Sequence, residues 1–514
     1  MSLKEESWVR AGVSVAANLF RGGISFLTGM LVARVLGAKE YGELTFLLGS
    51  FNALALMLDF GSTSAFYTML SARQRGPRFF IVYVLWTVGI QFVATFLVVA
   101  LVLPPTAVNK IWLGVGRQLV LLSLASSFFV TQIWTTILQL AEASRKTVVI
   151  QGIASVQVVA HLSLIVAAIY FHQLTLTLLL ALPIIEYGLL AFVLAPSLFR
   201  SNRGPGPDRE TFGRVIGEYW SYCKPLVAYS TVGFLSTFAD AWLLQRFAGS
   251  IQQGYFGVGV QFATVANVVT ASILAVLWKE VSESHERNDL KRVRSIFESV
   301  RRGVFFFGAA VAAIFLPYVG LLLRTTVGIG YSAATLCVTL MFLYPIHQAI
   351  GQFQGTFLLA THSTVAYSII GITNMIASIP LTYFLLATPS GAVPGLGWGA
   401  VGLAAKKVIL QIAGVTAQFW VLRRQHGFQW QWRFEIVSLV ALVGLSFGIR
   451  SVVRIVASAF VLSPNEVVIA GAATVLFTLA VSAIVARNPA LLGITALQRD
   501  AIIRIARRFV ARPV

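Results

Sequence analysis

Charge, acid and cysteine are all scarce in this chain of 514 residues. Only 11% of residues are charged against 57% hydrophobic, and the mean hydropathy is +0.81. A soluble globule of that composition would leave more apolar surface than one core can hide, so a soluble fold is excluded. No polar stretch is long enough to form a separate soluble domain. The two cysteines, Cys223 and Cys337, lie far apart at no metal or redox spacing, which excludes a disulfide framework and leaves them as small buried hydrophobes. There is no phosphate-binding loop, no cluster of metal ligands and no nucleophile with an adjacent base. ATP-driven transport by this chain alone, a metal centre and an enzyme active site are therefore not expected, nor is any cofactor.

What fills the sequence is a succession of apolar runs, each near the ~20 residues that span a bilayer. Apolar periods between charged or Pro/Gly-rich breaks predict about fourteen transmembrane helices, near 11–36, 43–70, 79–103, 117–141, 147–171, 174–199, 217–247, 254–278, 302–323, 333–360, 365–387, 396–422, 435–459 and 466–486. The predicted fold is an all-α integral membrane protein. The first run is too long for a signal-peptide core and lacks a convincing cleavage site, so it is expected to remain as the first helix.

Lysine and arginine total 39 against 19 acids, a net charge of +20. In a soluble chain that excess would suggest nucleic acid, but here topology explains it and no nucleic-acid partner is expected. The even-numbered connections, such as "SARQRGPR" and "RRQHGFQWQWR", and the two termini together hold 28 of the 39 basic residues. The positive-inside rule then places both termini in the cytoplasm.

A repeat is also legible. Arg34, Gly37 and Gly42 of "ARVLGAKEYG" match Arg246, Gly249 and Gly254 of "QRFAGSIQQGY" at one constant offset. This predicts two pseudo-symmetric six-helix lobes, 1–200 and 215–424, joined by a cytoplasmic linker at 201–214. Two extra helices follow at 425–486, then a basic amphipathic tail at 487–514 suited to an anionic leaflet. Repeated lobes are a common build for alternating-access transporters, with the site near the bilayer midplane.

A charge at that depth costs about 2.5–3.5 kcal/mol on insertion scales and needs a partner, a wet cavity or an escape to the interface. Lys406 and Lys407, roughly 15 Å below Leu396 in the twelfth helix, are candidates for an anion cavity, with outward snorkelling as the alternative. Adjacent residues diverge by about 100°, so one lysine is expected to face a cavity and the other to pair or snorkel. Arg21, one turn from Asn18, is a second cation for the same role. Asp59, Asp240 and Glu186 are candidates for ion coupling, by protons or sodium, or else structural locks for a nearby cation. In the tenth helix Tyr344, His347, Gln348 and Gln352 read as sugar or polar contacts, or as polar glue between helices. His161 reads as a satisfied interhelical residue.

The segments "NLFRGGISFLTGMLVARVLGAKEYGELTFLLG", "LDFGSTSAF", "FADAWLLQRFAGSIQQGYFGVGVQ" and "ITNMIASIPLTYFLL" followed by "GLGWGAVGLAAK" occur in an order that resembles the Wzx-type oligosaccharide-lipid flippases. That family lies within the MOP superfamily, which also holds the MATE multidrug exporters and the lipid II flippases. The resemblance covers most of residues 12–422. It implies a flippase that moves polyprenyl-pyrophosphate-linked oligosaccharide from the inner to the outer leaflet, with membrane lipids and glycan-assembly proteins as companions. It also implies a cationic central cavity, a chemistry met here by Arg21, Lys406 and Lys407. A lipid II-type flippase and a multidrug or cation antiporter share the fold. A membrane glycan polymerase or ligase would handle the same carrier, but typically needs a substantial outer loop, and every outer connection here is short.

Overall fold

The computed structural model describes residues 3–204, 211–287, 290–460 and 465–493. The linker residues 205–210 and the tail from 494 onward lie outside the described residues, so the amphipathic-tail expectation has no counterpart here. Among the described residues the chain is helical, with one isolated bridge, Arg75 to Arg203, in place of any strand. Backbone groups in hydrocarbon have no water to bond, and helices satisfy them within one segment.

Twelve helical elements are long and apolar enough to cross a membrane, which makes this a multi-pass membrane protein. Two of them are far longer than one crossing: Ala16–Asp59 with 44 residues and Phe212–Thr264 with 53. At about 1.5 Å per residue even the shorter would run about 66 Å, twice the hydrocarbon thickness. Each is broken at one glycine, Gly37 with φ 71° and ψ 173° and Gly249 with φ 80° and ψ 176°. That region of backbone space is open essentially to glycine alone. Divided there, each element supplies two crossings, in agreement with about fourteen.

The two broken elements also interlock through the repeat. A β-carbon on Gly42 would strike the carbonyl oxygen of Ser250, and one on Gly254 would strike that of Ala38. Each of these glycines thus packs on the residue that follows the kink of the other repeat. Close backbone approach through small residues is the usual way helices associate where lipid offers no hydrophobic drive.

The chain groups into two compact units, residues 1–258 with 375–403 and residues 259–374 with 404–514. The first has an aromatic core in which Phe66 stacks on Tyr83 with centroids 4.0 Å apart and Phe79 on Tyr219 at 5.2 Å. The second centres on Phe297, stacked on Phe428 at 4.1 Å and edge-on to Phe357 at 5.1 Å. Large apolar residues such as Phe192, Tyr170 and Phe460 are exposed, as expected of faces solvated by lipid tails.

Two elements differ from the sequence expectation. The second helix does not run unbroken over 43–70: Phe60 and Gly61 take positive φ, 47° and 81°, and a new helix starts at Ser62. The seventh does not begin at 217. A separate amphipathic helix, Phe212–Cys223, precedes it, capped by the Thr211 hydroxyl accepting from the Arg214 amide. Its Phe212, Ile216 and Trp220 are exposed along one stripe, while Glu218 on the other side pairs with buried Arg75 at 2.8 Å.

Replacing Gly37 or Gly249 by Ala is expected to destabilise the protein by about 1–3 kcal/mol, the usual cost of such backbone strain. Gly23→Ala, in a helix interior with nothing within 4 Å of an added β-carbon, should be neutral or stabilising. Thermal unfolding in detergent distinguishes the two classes; equal melting temperatures for all three variants would dismiss the kinks as strained.

Candidate functional site

Polar and charged side chains gather at separate places within the helices. In the first unit, Arg21 donates to the Asn18 carboxamide oxygen, so the expected pairing on one face is present. Arg21 also lies in electrostatic reach of Glu142 and Tyr187. Next to Tyr187, Glu186 accepts from Gln157 Nε2 at 2.9 Å and lies 2.9 and 3.0 Å from His161 Nδ1. The Tyr187 hydroxyl donates to Gln157 Oε1 at 3.3 Å, which fixes that amide's orientation. Glu186 and His161, read separately in the sequence, are thus partners.

The break at Phe60–Gly61 organises a second group in the same unit. Freed amide groups at a helix start need acceptors, and the Asp59 carboxylate supplies them. It accepts from the amides of Gly61 at 3.1 Å and Thr63 at 3.0 Å, and from the hydroxyls of Ser62 at 2.8 Å and Thr63 at 2.6 Å. Two π-helical stretches, Leu85–Ala94 and Phe129–Ile133, carry Gln91 and Gln132 to the same break. Thr63 bonds Gln132 at 3.2 Å, and Gln91 reaches Ser62 at 3.4 Å. In this arrangement Asp59 acts as a cap. Beside it opens an apolar cavity of about 590 Å³, lined among others by Phe60, Tyr83, Trp86, Ile216 and Trp220.

Asp240, also in the first unit, is buried, and the Thr382 hydroxyl lies 2.8 Å from its Oδ1. Ser378 and Thr382 are buried too, and the Thr382 hydroxyl also lies 2.8 Å from the Ser378 carbonyl oxygen.

The second unit holds the lysines. The helix that carries them runs Gly399–His426, so Lys406 lies about 10 Å inside its start, nearer the helix end than the sequence suggested. Lys406 is only 2% exposed, whereas Lys407 is half-buried, and both interact with other groups of the protein. In Thr335–Ala360, Tyr344, His347 and Gln348 are half-buried and Gln352 is exposed. The His347 carbonyl accepts from Gln411 Nε2 at 3.3 Å, and its ring stands edge-on to Phe305. Gln354 is fully buried, and neither end of its amide has a hydrogen-bond partner among the described residues.

One buried charge was missed in the sequence because it sits in a basic run that reads as cytoplasmic loop. Arg301 is 4% exposed inside the crossing Arg294–Thr326. It pairs with Glu435 at 2.6 Å and lies over the rings of Phe419 and Trp430. The signal available was its apolar downstream context, "GVFFFGAAVAAIF", which marks the crossing as starting earlier than 302. Among the described residues no group of three or more His, Cys, Asp or Glu side chains is placed to hold a metal.

No family model matches the chain, and no curated protein does. Solved structures do. The chain is similar to a mutant form of the Vibrio cholerae MATE transporter VcmN, with TM-score 0.53 and 14% identity over 81% of this chain and 97% of that one. It is similar to the inward-facing conformation of a multidrug resistance MATE family transporter of the MOP superfamily, with TM-score 0.58 and 12% identity over 80% and 98%. A MOP superfamily transporter from Pyrococcus furiosus, described as having a binding pocket of reversed polarity, matches with TM-score 0.54 and 10% identity over 81% and 95%. At these identities the likeness establishes the fold: the chain is folded as the MATE-type transporters of the MOP superfamily are.

Glu435→Ala leaves the Arg301 guanidinium buried without its carboxylate, and removing one partner of a buried pair typically costs about 3–5 kcal/mol. A correspondingly lowered melting temperature in detergent is expected, with Glu435→Gln intermediate. An unchanged melting temperature for the alanine variant would show that the pair contributes nothing.

Proposed function

We propose that this protein is a flippase that carries polyprenyl-pyrophosphate-linked oligosaccharide from the cytoplasmic to the outer leaflet of a bacterial inner membrane, by alternating access. The observation that carries the reading is the sign of the charge held within the crossings. Arg21 lies in the first crossing, which contains no carboxylate, and Lys406 is almost fully buried in the crossing Gly399–His426. A pyrophosphate brings about two negative charges that cannot enter hydrocarbon unaided, and buried cations lower that barrier. Arg21, Lys406 and Lys407 supply that charge. Asn18, Tyr344, His347, Gln348 and Gln352 provide polar contacts of the kind a sugar uses. Asp240, with Thr382 beside it, and Glu186 are the carboxylates for a coupling proton or sodium ion. Asp59 is the weaker choice for that role because its oxygens already cap a helix. The prenyl chain stays in lipid throughout, and glycan-assembly proteins take the product on the outer side.

The superfamily fold fits a multidrug or cation antiporter as well, but a cationic cargo calls for acids in the first crossing, where this chain has Arg21 and no carboxylate. A lipid II-type flippase shares the charge argument and differs only in the glycan. The reversed pocket polarity ascribed to the Pyrococcus furiosus transporter supports the idea that this fold accommodates more than cationic cargo.

Deleting the gene is expected to leave sugar-loaded carrier lipid on the cytoplasmic face, measured by its sidedness in membrane vesicles. The double variant Lys406→Gln, Lys407→Gln should insert normally and lose most glycan export. Unchanged sidedness together with new drug sensitivity in the deletion strain would sink the flippase reading in favour of an exporter. Full export by the double variant would remove the lysines from the site.

A further inference from the structure

We infer that His161 and Glu186 form a single proton-binding site within the first unit, and that this pair takes up the coupling proton of the transport cycle. The inference rests on the transport reading above and names its coupling group.

The pair sits well inside two helices long and apolar enough to cross a membrane. His161 lies about 21 Å from one end of the helix Thr147–Tyr170 and about 14 Å from the other. Glu186 lies about 15 Å inside the start of Leu176–Asn202. The Glu186 side chain is 11% exposed and the His161 side chain 25%, so the carboxylate is the more covered of the two. An ionised carboxylate only accepts hydrogen bonds. The ring nitrogen facing it, Nδ1, therefore carries a hydrogen, and the opposite nitrogen, Nε2, is left as the basic atom. A proton arriving at Nε2 turns the neutral imidazole into an imidazolium held against the Glu186 carboxylate. Gln157 Nε2 already donates to that carboxylate, and the Tyr187 hydroxyl in turn holds the Gln157 amide.

Arg21, from the first helix, interacts with Glu142 and Tyr187, and Tyr187 in turn with Glu186. Arg21 is thus in reach of Glu142, while Glu186 faces His161. The other charges on the elements packed here are distant. Arg34 is about 20 Å along the helix from Arg21, and Lys39, Glu40, Glu43 and Asp59 lie beyond the Gly37 kink. Arg117 is at the far end of its helix, bonded to the carbonyls of Ala100 and Leu103. Arg145 and Lys146 precede Thr147, and Tyr170 and His172 lie at the opposite end of that helix.

The ligand chemistry favours a proton over sodium. Hard cations are held by several oxygens, whereas the neighbours of Glu186 present N–H groups, from Gln157 Nε2 and His161 Nδ1.

The test uses the full-length protein in lipid nanodiscs with a pH-indicator dye, stepped from about pH 8 to about pH 5, the range in which histidine ordinarily changes charge. Glu186→Gln and His161→Asn are each expected to lower proton uptake by about one per molecule, and the double variant by no more than one. Glu186→Asp should restore the proton. Unchanged uptake in both single variants, a loss of two in the double variant, or competition by sodium in place of potassium would each overturn the site. In cells, surface glycan made with the unmodified protein should depend on an imposed pH gradient, and that dependence should vanish with Glu186→Gln. If the dependence persists while the proton is lost, the coupling role is refuted and the flippase reading stands. If deletion leaves glycan export intact, the flippase reading fails, and the coupling role falls with it, while the proton count still decides the site.

Discussion

Hydrocarbon offers no water to a buried polar group, and the arrangement of this chain follows from that constraint. Backbone amides are satisfied within helices, and wherever a helix is interrupted a side chain must take over. The break at Phe60–Gly61 shows the cost directly. Two amides and two hydroxyls converge on Asp59, and widened π-helical turns bring Gln91 and Gln132 to the same place. A polar cluster of that size inside a membrane is the consequence of one local backbone irregularity.

The same rule sorts the charges. Arg75 is buried yet pairs with Glu218 of the amphipathic helix Phe212–Cys223, tying the connection after the second crossing to the approach of the seventh. Arg301 is buried against Glu435 and two aromatic rings. These pairs lock helices together. Arg21 is different: it donates to the Asn18 carboxamide on its own helix and lies in electrostatic reach of Glu142 and Tyr187, so it meets a polar group and not a single carboxylate.

Much of the fold was legible in the sequence because hydropathy measures transfer into the bilayer, the dominant energy here. The two kinks were legible too, since only glycine tolerates their backbone angles and Gly37 and Gly249 recur at one offset. The break within "LDFGSTS" was not, because Phe60 at positive φ is a choice that the surrounding packing enforces. The Asn18 and Arg21 pairing followed from helical spacing. The His161 and Glu186 pairing did not, since it joins neighbouring helices and periodicity carries no information about rotation between them. Arg301 was hidden for a related reason: a charge at a helix end looks the same in sequence whether it meets water or a buried carboxylate.

The repeat sharpens what matters functionally. At the offset that superimposes Gly37 on Gly249, Arg21 falls on Gly233 and Asp240 falls on Thr28. The glycine kink and the arginine before it, Arg34 and Arg246, are duplicated, while Arg21 and Asp240 are not. Thr28 returns its hydroxyl to the Ile24 carbonyl within its own helix, as an inert residue would, whereas Asp240 meets Thr382 on another helix. The two broken elements therefore share their kink geometry and differ in the charges placed before it. If the chain couples its cargo to an ion as proposed above, that asymmetry assigns the coupling to one copy of the repeat, because two equivalent ion sites could not.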